Sequence, residues 1–227
     1  CYLKMAFETP FYINTIRSFL SDRGVYGKMQ IKAKELRLRI NDSELDSWKA
    51  NIKALKELFR SAEKTSRDFL DCLVMLEVCI TKDLRADCII IGENAKDEPT
   101  VVVMELKQWS DDFIEKPKSE EDIRSGIVIT HYHNTPSCYH PSRQVSDYRW
   151  ALNNYQPFIE REIKHVGVAY CYKSEKGMQT YKVLYDKDYD DYIKECKPYT
   201  KKTKDSLVKV LLAHLQSGNG HEVYNRL

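Results

Sequence analysis

Arg85-Ala86-Asp87-Cys88-Ile89-Ile90-Ile91-Gly92 and Val101-Val102-Val103-Met104-Glu105-Leu106-Lys107-Gln108-Trp109 are two apolar runs separated by the polar residues 93–98. Each run is short, β-branched and flanked by Gly or Pro, the pattern of a buried strand. The second run is apolar at both parities from Val101 to Met104, so both faces of that strand should be covered. Side chains alternate across a strand, which puts Glu105 and Lys107 on the same face as Val101 and Val103. If residues 93–98 form a hairpin turn, Asp87 lies opposite Met104 or Glu105. Opposed residues share a face, with Cβ atoms roughly 5 Å apart. Two carboxylates at that spacing can hold one divalent cation through oxygen ligands at about 2.1 Å. Lys107, one step along the same face, would then reach a bound water or a phosphate. The competing reading is a structural Asp–Lys or Glu–Lys pair at a strand end. Charge is rare at fully buried positions, which favours a site.

Ser43 to Ala62 reads as an amphipathic helix. Ser43 would be the N-cap, with Asp46 as its acid, and Trp48, Ile52, Leu55, Leu58, Phe59 and Ala62 form one stripe. Glu57 and Glu63 lie in its C-terminal half, and one of them is a candidate to face the acidic pair. Phe69 to Ile80 reads as a strand interrupted by Glu77, either a further site carboxylate or a solvent-facing position. Ser110 to Pro136 reads as a polar, mobile loop with a short strand at Ile127-Val128-Ile129. A helix starts at His140-Pro141-Ser142, with Gln144 and Tyr148 on one face and Phe158 and Ile159 closing its pattern. His165 to Tyr172 reads as a strand. Tyr12, Ile16, Phe19 and Leu20 are spaced as in a helix, and Gly24 and Gly27 mark a turn. Gln179 to Tyr185 reads as a short strand, Asp188 to Cys196 as a short helix, and Lys204 to Leu215 as an amphipathic helix ending near Gly218. The central order, helix, three strands, helix, strand, predicts an α/β fold with a mixed sheet flanked by helices.

The whole composition fits this frame. The 227 residues suit a single domain, here a core of about residues 43–173 with an N-terminal extension (1–42) and a C-terminal strand and helix appendage (174–227). A net charge of +2 supplies no strong basic field, which argues against a pure nucleic-acid-coating protein but allows a local basic groove. The 15 tyrosines could stack on bases, though core and surface packing accounts better for most of them. Seven scattered cysteines with no C-x-x-C pair predict reduced thiols in a cytoplasmic protein. No run reaches the roughly 18 apolar residues of a membrane span, so no membrane partner is expected. Residues 1–5 lack a signal-peptide pattern, and the absence of Met at position 1 reads as a fragment of something larger.

Three other patterns are weaker. His131, His133, Cys138 and His140 have zinc-ligand side chains, but H-x-H-x4-C-x-H matches no standard finger. Asp186 to Asp191 lacks the Gly and Glu of a calcium-binding helix-loop-helix and reads as a solvated turn. Lys201-Lys202-x-Lys204 reads as a solvated helix start, and no phosphate-binding G-x-x-x-x-G-K-[ST] is present.

Asp87, Glu105 and Lys107 as D…E-x-K on the second and third strands, with Gln144-Val145-Ser146-Asp147-Tyr148 as Q-x-x-x-Y, resemble the PD-(D/E)XK nuclease superfamily in its RecB-like branch. Glu105-Leu106-Lys107-Gln108-Trp109 with His140-Pro141-Ser142-x-Gln144 is similar to the N-terminal nuclease-like domain of certain bacterial helicase-like ATPases. The resemblance covers roughly residues 43–173, and Ala86 stands where the superfamily name has Pro. It implies a restriction-endonuclease-like core and metal-dependent hydrolysis of phosphodiester bonds in DNA, with RNA open. Asp87 and Glu105 would ligate Mg²⁺ or Mn²⁺, and Lys107 would orient or deprotonate the attacking water and stabilise the transition state. Gln144 and Tyr148 would position these groups or the nucleic-acid backbone, with Glu77 and Glu63 as auxiliary acids. A helicase or ATPase module in the same full-length chain is an implied partner. The alternatives are a nucleic-acid-binding module of the same fold without turnover, and a zinc-stabilised interaction domain.

Overall fold

A computed structural model describes residues 10–132, 135–155, 163–175 and 179–226. The chain opens with strand β1 (Tyr12–Thr15), helix α1 (Ile16–Ser21) and helix α2 (Val25–Glu35). The long helix α3 (Asp42–Glu63) follows, then a 3-10 turn and three strands, β2 (Leu73–Cys79), β3 (Arg85–Glu93) and β4 (Pro99–Lys107). A small sheet comes next, built of β5 (Ile114–Glu115), β6 (Ile127–Tyr132) and β7 (Thr135–Tyr139), with helix α4 (Glu120–Arg124) between β5 and β6. Helix α5 (Pro141–Tyr155) then crosses over to strand β8 (Lys164–Cys171). The remainder is α6 (Gln179–Leu184), α7 (Asp190–Glu195), β9 (Pro198–Thr200), α8 (Lys204–Leu215) and α9 (Gly220–Arg226).

The main sheet has the order β1-β2-β3-β4-β8-β9. The first four strands are antiparallel, while β4–β8 and β8–β9 are parallel. It is therefore the mixed sheet that one hairpin and one helical crossover require. Parity divides its two faces. Cys88, Ile90, Val102 and Met104 pack with Trp48, Leu55, Leu58 and Phe59 of α3 and Leu211 and Leu215 of α8. Ile89, Ile91, Val101 and Val103 pack with Val145, Tyr148, Ala151 and Leu152 of α5. Both faces are covered, as the apolar runs demand. A third cluster, including Trp109, Ile114, Val128 and Tyr189, lies under the small sheet.

The hairpin turn closes on Asn94, whose side-chain oxygen accepts from the Lys96 and Glu98 backbone N–H groups at 2.8 and 3.1 Å. Asp97 adopts the left-handed conformation, φ 58°, that the tight return needs. α5 lies unusually close to β8. A Cβ on Gly167 would come within 2.5 Å of Val145 Cγ1, so only glycine permits this spacing.

Several local expectations change. Residues 12–20 are not one helix. Tyr12–Thr15 pairs along the edge of β2, and Thr15 then caps α1 by accepting from Ser18 N–H. Phe11, Tyr12, Ile16 and Phe19 are all buried in the core, and that produced the helical spacing. The turn expected at Gly24 and Gly27 is the start of α2, with Gly24 at its N-cap. α3 starts from Asn41, whose side chain accepts from Glu44 N–H at 2.9 Å, and Ser43 is already inside the helix. The expected loop at 110–136 holds β5, α4 and β6. Gln179–Leu184 is helical rather than extended, because Thr180 Oγ1 turns in to accept from Phe113 N–H and buries Val183 and Leu184 beside it. Residues 10–42 and 179–226 add strands and core residues to the same sheet as residues 43–173. Phe158 and Ile159 lie outside the described residues. Among the described residues no helix is long and apolar enough to cross a membrane, and Cys72, Cys79, Cys88, Cys138, Cys171 and Cys196 are free thiols.

Candidate metal and phosphate site

The ladder between β3 and β4 ends at Cys88 opposite Met104, and one step further lie Asp87 and Glu105. Beyond that point β4 continues beside β8 alone, to Lys107 opposite Cys171. Here the sheet opens into two clefts that share Asp87 and Glu105. One, ≈ 580 Å³, runs past Gln144, Asp147 and Tyr148 of α5. The other, ≈ 370 Å³, runs past the start of α3 and past Lys107, Trp109 and Phe113.

Glu105 is almost wholly buried and is held from two sides. Lys107 Nζ lies 2.7 Å from Oε1, and the Tyr148 hydroxyl donates to Oε2 at 3.0 Å. Lys107 also sits over the Trp109 ring, 5.5 Å from its centroid. Asp87 Oδ2 accepts from the Leu106 backbone N–H at 2.7 Å. Burial, reinforced by the charges of Glu105 and Glu77, pushes the Asp87 carboxyl well above the usual carboxylate range; Lys107 opposes this without cancelling it. For Lys107, burial works against the charge, but Glu105 and Asp87 outweigh it and hold the ammonium above its ordinary value. Burial and the same carboxylates raise the Tyr148 hydroxyl, so it remains a donor.

Glu77 is drawn toward this group from β2. Its backbone is left-handed, φ 50°, which is rare in a strand and strained for a side chain of this kind. It is buried, and Arg85 Nε contacts Oε2 at 2.8 Å. Burial pushes its carboxyl up to about 7, against the pull of Arg85. Arg85 also pairs with Glu44 in the first turn of α3. Glu44, not Glu57 or Glu63, is therefore the α3 acid next to the site. Glu63 lies 19 residues further along, about 28 Å at 1.5 Å per residue. Of the expected residues, the structure brings together Asp87, Glu105, Lys107, Tyr148, Gln144 and Glu77, and leaves out Glu63. Sequence reading missed Glu44, Arg85 and the cleft-wall residues Leu38 and Tyr139. The Asn41-x-x-Glu44 start of α3 was the one local signal, and it reports capping rather than a site.

The donor set suits a hard divalent cation. Asp87 and Glu105 offer carboxylate oxygens, and Gln144 Oε1 is buried in the cleft wall with no hydrogen-bond donor from the protein. All three are oxygen ligands, the kind Mg²⁺ and Mn²⁺ prefer. The Asp87 carboxylate, disfavoured by burial and by the Glu105 charge, is relieved by positive charge. Among the described residues no group of three or more His, Cys, Asp or Glu side chains is placed to hold a metal ion.

Among the described residues the zinc ligands are not brought together. His131 is exposed and contacts Glu115 at 3.0 Å. His140 is buried, stacked on Tyr189 at 4.8 Å, with Nε2 3.3 Å from the Leu184 carbonyl oxygen and Nδ1 accepting from Ser142 N–H. Cys138 faces the Lys107 cleft, and His133 lies outside the described residues. His131, Cys138 and His140 have separate surroundings.

Comparison with protein-family profiles, with curated proteins and with solved structures found no match.

Proposed function

We propose that this chain is a Mg²⁺- or Mn²⁺-dependent nuclease domain of the PD-(D/E)XK type that hydrolyses phosphodiester bonds in DNA. The observation that carries the reading is the meeting of Asp87 and Glu105 with Lys107 at the open end of two central strands, where all three line one cleft. Order and topology support it: α3, β2, β3, β4, then α5 crossing to a parallel β8. Asp87 and Glu105 would hold the ion, with Gln144 Oε1 as a further oxygen donor. The ion would supply charge neutralisation at the phosphate and a more acidic water. Lys107, kept as an ammonium by Glu105, would place positive charge at the scissile phosphate. Tyr148 would fix the orientation of Glu105. A helicase-like ATPase module in the same full-length chain belongs to the same proposal.

A second reading is a binding module without turnover. The contacts of Glu105 favour it, because Lys107 and Tyr148 already engage its two carboxylate oxygens. Incubation with linear, circular and single-stranded DNA and with RNA, in Mg²⁺ or Mn²⁺, separates the two. The nuclease reading expects cleavage that is lost in Glu105→Ala and Lys107→Ala. Cleavage that survives both substitutions overturns the site assignment, and no cleavage of any substrate leaves the binding module.

A further inference from the structure

Tyr139 is the last residue of β7 and stands at the entrance to α5. Its side chain is large and flat, yet the residue is 47% exposed. One side of the ring is backed by the Arg143 guanidinium, 5.4 Å from the centroid. That guanidinium is itself fixed. Nε donates to both Asp147 carboxylate oxygens at 2.9 Å, Nη1 donates to the Tyr192 hydroxyl at 3.2 Å, and the Tyr192 ring lies 5.5 Å away. The ring is thus held at a set angle with much of its surface open. It lines the ≈ 580 Å³ cleft whose floor is Asp87 and Glu105, and exposed Leu38, before α3, lines the same cleft.

Two features bear on what enters this cleft. Its lining carries four carboxylates, Asp83, Asp87, Glu105 and Asp147, against two cations, Lys82 and Arg85. Phosphate attraction to protein charge, the usual source of nucleic-acid affinity, is therefore weak there. Another contact has to hold the strand. The volume also falls in the range of pockets that enclose one small organic ligand, roughly 300–1,000 Å³. That is room for a nucleotide or two inside the cleft. A base offers its face to a protein ring only after leaving the stack.

We propose that Tyr139 is a stacking platform for an unpaired base beside the scissile phosphate, and that the substrate class is single-stranded DNA or the frayed end of a duplex. The proposal rests on the nuclease reading for the identity of the phosphate and on Tyr139, Arg143 and the cleft for the base.

The test is fluorescence anisotropy with a labelled oligothymidylate, an abasic strand of equal length and a blunt duplex, with Ca²⁺ in place of Mg²⁺ to slow turnover. Tyr139→Leu should bind oligothymidylate about ten-fold more weakly, with abasic-strand and duplex binding unchanged, and Tyr139→Trp should restore the affinity. An unchanged affinity in Tyr139→Leu, an equal loss on the abasic strand, or wild-type binding of oligothymidylate no tighter than the abasic strand overturns the proposal. Cleavage in Mg²⁺ is read separately on the same proteins. Tyr139-dependent binding without cleavage supports the platform and refutes hydrolysis. Cleavage with Tyr139-independent binding refutes the platform alone.

Discussion

Tyr148 and Glu105 are 43 residues apart in the chain, and the Tyr148 hydroxyl donates to Glu105 Oε2 at 3.0 Å. The bond ties α5 to the end of β4 across the buried face of the sheet. Tyr148→Phe keeps the ring packing and removes only this donor. Glu105 then keeps Lys107 as its partner. The expected cost in stability is about 1–3 kcal/mol, because a buried acceptor loses a donor. Cleavage should fall by about ten-fold or more while the Mg²⁺ concentration needed for half activity rises. Chemical denaturation and a metal titration of the rate check both.

Asp87→Asn removes the charge that burial and Glu105 penalise, while the Asn side-chain oxygen still accepts from Leu106 N–H. In chelator above neutral pH the variant should melt higher than the wild type. The sign follows from proton binding: a carboxyl raised by folding holds its proton longer in the native state, so native stability falls as pH rises past the ordinary carboxylate range. Mn²⁺ should raise the wild-type melting temperature and leave that of Asp87→Asn unchanged. A thermal melt with and without the metal reads both effects. A wild-type curve indifferent to Mn²⁺ and Mg²⁺ would count against the metal site.

Gly167→Ala should damage both stability and activity. Its Cβ would meet Val145 Cγ1 at 2.5 Å and Arg149 Cδ at 2.8 Å, both on α5. The helix that carries Gln144 and Tyr148 must then move off the sheet. The expected loss is about 1–3 kcal/mol, with weakened cleavage. Gly27→Ala, inside α2 with open space around it, is the matched control and should gain about 0.4–1 kcal/mol. Urea denaturation of the two variants gives the contrast.

His140 makes acid sensitivity local. Burial lowers its pKa from the ordinary 6.5 to about 4. The unfolded chain therefore binds this proton first as pH falls, and stability is lost between about 6.5 and 4. The full effect is on the order of 3 kcal/mol. His140→Phe preserves a ring against Tyr189 and should show a shallower loss over that window. Zinc added to either protein should leave the curves unchanged. Denaturation at stepped pH measures the difference between the two slopes.

The central strands and the crossover were legible because their signals are local. Val101 to Met104 is apolar at both parities only if both faces are buried, and the hairpin fixes which residues oppose Asp87. β1 was hidden because Tyr12 and Ile16 are buried for different reasons, one in a strand and one in a helix, at a spacing that imitates a single helix. The helix at Gln179–Leu184 is not legible in the sequence, because Thr180 meets Phe113 there, a contact no window of sequence contains. Arg85 with Glu44 and Glu77 was invisible for the same reason. Nothing in the residue types around Glu77 announces a left-handed backbone in mid-strand.

Asn94 and its turn lie at the end of β3 and β4 opposite Asp87 and Glu105, with residues 95–98 exposed. The sheet thus has a chemical end and a mechanical end, separated by the length of two buried strands. A reporter peptide spliced between Lys96 and Asp97 would ride on the mechanical end. It would label or immobilise the protein with the carboxylates facing away from the support, and their chemistry could then be followed one molecule at a time.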